Sequence, residues 1–135
     1  MSSTTMKRPQ TPPPQYTNSK YFESPHPLWW LTVLGGLALC FLSWFNPSVL
    51  PSLWFLGPIG RVAYHVGVYY NGTMLAINII SWFLHVGESV YALQLCTMKG
   101  IVDQKTVLKW GVQTFLMGFF SLRFLIAYRP KPVVQ

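Results

Sequence analysis

The chain is 135 residues long, room for one domain. Only 10% of its residues are charged, against roughly 25% in a typical soluble domain, while 51% are hydrophobic and 16% aromatic. The net charge of +7 does not point to nucleic acid, because Lys and Arg flank apolar runs instead of clustering on a folded face, and two cysteines are too few for a disulfide framework.

Residues 1–27 read as a disordered tail. Six prolines (Pro9, Pro12, Pro13, Pro14, Pro25 and Pro27) stand among Ser, Thr, Gln and Asn, a composition that favours extended chain. Pro9 and Pro12, preceded by Arg8, form a PxxP step that fits an SH3 groove, and a bland tether accounts for the same residues. No secretory signal is expected, because the apolar run begins only at Leu28 and no small-residue cleavage pattern follows it.

Residues 28–45 carry no charge and as a helix would reach about 27 Å, close to the hydrocarbon thickness of a bilayer. Trp29 and Trp30 at one end and Trp44 and Phe45 at the other suit the two membrane interfaces. Residues 46–60 hold Pro47, Pro51, Pro58, Gly57 and Gly60, so no regular span is expected there. Residues 61–70 read as a short interfacial segment, with an isolated strand as the competing reading, since Val62, Tyr64, Val66 and Val68 alternate. Residues 73–96 and 106–128 are the second and third expected spans, about 36 and 34 Å as helices, joined by a polar loop over 97–105. Three spans would place the two termini on opposite faces. The Lys and Arg bias then puts the N-terminus in the cytosol.

Glu88 is the one acidic residue between Leu28 and Met98. Counted from Thr97 it lies about 13 Å deep, near the midplane of a bilayer, where a charged side chain must face protein or a water-filled cavity. His85 stands one turn before it, and Asn78 and Ser81 continue the same helical face. Antiparallel packing of the last two spans would bring Gln113 and Thr114 close. The candidate intramembrane polar site is therefore Asn78, Ser81, His85, Glu88, Gln113 and Thr114. Two readings stay open: interhelical hydrogen bonding, or a proton, cofactor or lipid-headgroup site on the His85/Glu88 pair. Small residues Gly111, Thr114, Gly118 and Ser121, and Gly36, Cys40 and Ser43, mark faces for close helix packing. No metal set is expected, since a site needs three or four ligands and His26 and His65 lie outside the spans. No phosphate loop, HExxH, dinucleotide fingerprint or calcium loop is present, and no complete catalytic set is visible.

Several segments together resemble the transmembrane protein 254 family: Leu56-Gly57-Pro58-Ile59-Gly60, Leu84-His85-Val86-Gly87-Glu88-Ser89, Lys99-Gly100-Ile101, Gln113-Thr114-Phe115 and Leu125-Ile126-Ala127-Tyr128. The resemblance implies a small multi-pass membrane protein with three spans, and it supplies no catalytic residues. A weaker likeness joins the close His, Gly and Glu of the second span to the ergosterol-biosynthesis scaffold family, whose members hold membrane enzymes together.

The expected fold is thus an all-α membrane protein with three transmembrane helices (28–45, 73–96, 106–128), a disordered Pro-rich tail over 1–27 and a short basic tail over 129–135. The expected function is a non-enzymatic assembly or scaffold subunit in the bilayer, its partners other membrane proteins or a second copy, with no nucleic acid. The alternative is a cofactor-, proton- or lipid-headgroup-binding protein using His85 and Glu88. The endoplasmic reticulum is the expected address.

Overall fold

The computed structural model describes residues 18–131, and every regular element in them is helical. Helix α1 (Pro27–Phe45) starts where Pro27 presets the first helical φ and His26 Nδ1 accepts the Leu28 N–H at 3.2 Å. It ends at Asn46, before Pro47. The proline-rich stretch that follows makes two short 3-10 turns, Pro47–Ser52 and Trp54–Leu56. Helix α2 (Gly57–Tyr69) then packs across α1 where Gly67 meets the Ser43 carbonyl; a Cβ at Gly67 would collide with it. Ser43 Oγ donates to the Ala63 carbonyl at 2.6 Å in the same contact. The strand reading of residues 61–70 therefore gives way to a helix, which satisfies its own backbone as an isolated strand cannot.

Helix α3 (Asn71–Met98) runs antiparallel to α1. Asn71 Nδ2 donates to the Trp44 carbonyl at 2.9 Å, and Asn78 Nδ2 to the Cys40 carbonyl at 3.0 Å. Among the described residues, helices α1 and α3 are the two that are long and apolar enough to cross a membrane, and only 6% of an apolar 18-residue stretch in each is buried within the protein. Their side chains thus face outward, as lipid-exposed helices do and the core helix of a soluble domain does not.

The expected third span over 106–128 does not form. Helices α4 (Gln104–Met117) and α5 (Phe119–Ala127) share that stretch, parted by Gly118 at φ 58°, ψ −136°, a conformation that costs any residue with a Cβ. The chain folds back there. Gln113 Nε2 donates to Ser121 Oγ at 2.9 Å and Thr114 Oγ1 lies 3.1 Å from the same hydroxyl. A continuous helix would hold those pairs about 10–12 Å apart. Lys99 Nζ, just past the end of α3, donates to the carbonyls of Leu125, Ile126 and Tyr128 at 2.7, 2.6 and 2.6 Å. So α5 returns to the level from which α4 departed, and the described residues hold two helices able to cross a membrane and a helical hairpin. An apolar length of 23 residues says nothing of the turn that one glycine permits.

The expected disordered tail is corrected in part. Residues 18–26 pack against the hairpin, and the PxxP step lies outside the described residues. The Tyr21 carbonyl accepts from Trp110 Nε1 at 2.9 Å, the Glu23 carbonyl accepts from Gln113 Nε2 at 2.9 Å, and the Tyr21 ring stacks on Tyr128 at 3.8 Å. Burial and the Glu23 carboxylate, which accepts the phenol proton at 2.6 Å, push the Tyr21 hydroxyl up to about 12. Beneath this segment lies the core: Ala92, Leu95, Cys96, Ile101, Trp110, Leu122 and Leu125.

Candidate functional site

Helix α3 supplies most of the expected polar stripe, and each side chain finds a different neighbour. Asn78 is buried and bonds to α1 through the Cys40 carbonyl and to its own helix through Met74 O at 2.8 Å. Ser81 is half-buried and makes no hydrogen bond among the described residues. His85 Nδ1 donates to the Phe115 carbonyl of α4 at 2.6 Å, which leaves Nε2 as the acceptor of the neutral ring. Ser89, one residue past Glu88, donates to the Gly111 carbonyl at 2.8 Å. The stripe thus holds the helices together through backbone carbonyls.

Glu88, like Ser81, is an exception. It makes no hydrogen bond or ion pair among the described residues. Its carboxylate lies over the hairpin turn: an ideal Cβ on Gly118 would stand 2.7 Å from Glu88 Oε2 and 3.4 Å from His85 Nε2. The two side chains therefore converge on the one residue of the turn that leaves them room. Gln113 and Thr114 do not join them. Both are buried on the other side of α4, bonded to Ser121 and, for Gln113, to the Glu23 carbonyl. The sequence-derived set is split: Asn78 with α1, His85 and Glu88 with the hairpin turn, Gln113 and Thr114 inside the hairpin, and Ser81 bonded to none of them.

The depth of Glu88 also changes. Helix α1, at 19 residues, is about 28 Å long, so its two ends mark the two interfaces. The Trp29 ring in its first turn lies 4.7 Å from the Phe120 ring, two residues past the glycine that Glu88 touches. Glu88 therefore sits level with the start of α1, near one interface and far from the midplane, where the penalty for a carboxylate falls. Counting from Thr97 misplaced it because α3, at 28 residues, continues beyond α1 and is sheathed there by the hairpin and residues 18–26. Arg123 marks the same level: it is exposed and lies 5.8 Å from the Trp29 ring centroid and 4.9 Å from that of Phe124.

Two residues of the loop over 97–105, for which the sequence suggested no structural role, carry the architecture. The Lys99 ammonium closes the C-terminal end of α5, and burial, with Arg129 nearby, holds its pKa below the ordinary lysine range. Asp103 caps α4 by accepting from the Thr106 N–H at 3.0 Å and the Thr106 hydroxyl at 2.7 Å, which holds its carboxyl below the ordinary range. The Asp-x-x-Thr step was legible as a helix start; the partners of Lys99, 26 to 29 residues away, were not. Among the described residues no group of three His, Cys, Asp or Glu side chains could hold a metal ion.

A family model described as transmembrane protein 254 matches residues 28–127. The chain is 39% identical over 117 residues to transmembrane protein 254 of Rattus norvegicus, covering 85% of this chain and 93% of that protein. It is 41% identical over 110 residues to the Homo sapiens protein of the same name, covering 77% of this chain and 85% of that one. No solved structure matches.

Proposed function

The chain belongs to the transmembrane protein 254 family, and on that premise we propose that this integral, multi-pass membrane protein is a non-catalytic assembly or scaffold subunit for other membrane proteins. The observation that carries the reading is on α1. A Cβ at Gly35 or Gly36, in the middle of the span, would meet nothing within 4 Å. Adjacent glycines open to the lipid let the backbone of another helix approach closely. Asn78, His85 and Ser89 of α3, by contrast, are spent on the chain's own carbonyls. The endoplasmic reticulum is the proposed address, resting on the likeness to the ergosterol scaffold family; co-localisation of the tagged protein checks it.

A second reading is favoured by the convergence of Glu88 and His85 on Gly118: a cofactor, proton or lipid-headgroup site on that pair. One experiment separates the two. Parent, Gly36→Ile and Glu88→Gln proteins are extracted in mild detergent and compared by native gel and native mass spectrometry. The assembly reading expects a complex that Gly36→Ile weakens about tenfold with unchanged thermal stability, and that Glu88→Gln leaves intact. A parent protein that runs only as a monomer overturns it. A non-protein mass bound to the parent and lost from Glu88→Gln supports the second reading.

A further inference from the structure

We propose that the basic concavity at the start of α4, together with the apolar groove that continues from it, binds one anionic phospholipid. The concavity has a volume of about 650 Å³ and is lined by Lys20, Lys105 and Lys109 beside Phe22 and Val102. The three ammonium groups come from two segments far apart in the chain, brought together when residues 18–26 fold onto the hairpin. The ammonium groups of Lys20 and Lys105 make no hydrogen bond or ion pair among the described residues, and that of Lys109 lies 5.6 Å from the Phe22 ring centroid. Asp103 offsets one of the three charges. Its carboxylate is occupied by Thr106, so it also fills the helix N-terminus, and the lysines alone are left to receive an anion. The surplus of positive charge matches a phosphodiester.

What favours a lipid over a free anion is the second cavity. A groove of about 510 Å³ shares Phe22 and Lys109 with the first and runs along Leu108 and Val112 to Trp30. Leu108 and Val112 are 66% and 52% exposed, so an apolar strip lies open directly beside the charges. The orientation agrees with the bilayer. Lys105 and Lys109 stand on the first turns of α4, level with the far end of α3, while Trp30 sits in the first turns of α1, at the interface. The charged end thus points to water and the apolar end reaches the membrane surface at Trp30, the polarity of a phospholipid whose acyl chain runs along α4 before it enters the bilayer. A soluble anion would use the first cavity and leave the second empty.

The test uses the full chain in detergent, titrated with dioleoyl phosphatidylserine, dioleoyl phosphatidylcholine or inorganic phosphate and read by native mass spectrometry. The expected result is one tightly held phosphatidylserine, with phosphatidylcholine at least tenfold weaker. Lys20→Gln combined with Lys105→Gln removes two exposed charges and should weaken phosphatidylserine about thirtyfold. Arg61→Gln, on α2 at the opposite end of the spans, should change nothing. Val112→Trp, which fills the groove, should weaken the lipid and leave any phosphate binding alone. Equal affinity for the two lipids overturns the proposal, as does full phosphatidylserine affinity in the double lysine variant. Phosphate that displaces phosphatidylserine, with Val112→Trp silent, reassigns the concavity to a free anion and also overturns it.

Discussion

Gly118 decides more than any other single residue. Its φ of 58° turns α4 into α5, and the missing side chain leaves the space over which Glu88 and His85 meet. The atom an added methyl would press on is the far end of the flexible Glu88 side chain, which can swing away, so steric conflict alone is a small cost. The backbone cannot relax in the same way. Gly118→Ala should therefore destabilise the protein by about 1–3 kcal/mol, the usual range for a residue held in a sparsely populated conformation. A second change, Glu88→Ala, should not rescue it. Thermal unfolding of the three variants in detergent checks this; a full rescue would show that the clash, and not φ, sets the cost.

At the scale of elements, the hairpin is held at both ends. Asp103 and Thr106 start α4, and the Lys99 ammonium collects three carbonyls at the end of α5. Those carbonyls have no partner further along the helix, so Lys99 supplies what another turn would otherwise provide. Lys99→Met keeps most of the aliphatic stem and removes the charge. It should cost about 1.5–3 kcal/mol, as expected for hydrogen bonds to a charged group. Proteolysis near residues 125–131 should accelerate while α1 and α3 stay protected. Unchanged cleavage there would mean that the Tyr21–Tyr128 stack and the Trp110 core hold α5 without the lysine.

For the whole molecule, the hairpin changes the topology. Two crossing helices return the chain to the side on which it began, and Tyr21 stacked on Tyr128 places residues from the two ends of the described chain against each other. Lys20, Lys99, Lys105, Lys109, Arg123 and Arg129 then gather at one end, with Arg61 on α2 at the other. That bias is far steeper than three spans would give, and the positive-inside rule predicts that this end of the molecule faces the cytosol. Tags at the two termini should both be digested by protease added to sealed vesicles of cytosolic-side-out orientation. A protected C-terminal tag beside an exposed N-terminal one would require a third crossing and overturn this topology.

Charge exclusion, aromatic ends and proline stops are local properties, and they sufficed to reveal a membrane protein, the bounds of α1 to within a residue and the course of α3 to within two at each end. The inward face of α3 was legible too, because Asn78, Ser81, His85 and Glu88 repeat at helical spacing. Turn, depth and partner were not. Ser121 faces Gln113, Lys99 reaches Leu125, and Trp110 reaches Tyr21 only once the chain has folded back on itself. A helical period runs the same through residues 106–128 whether the chain crosses the bilayer or turns at Gly118. The turn is chosen by contacts between residues tens of positions apart: a lysine finding three carbonyls, a tryptophan finding one, and a tyrosine pair closing over them.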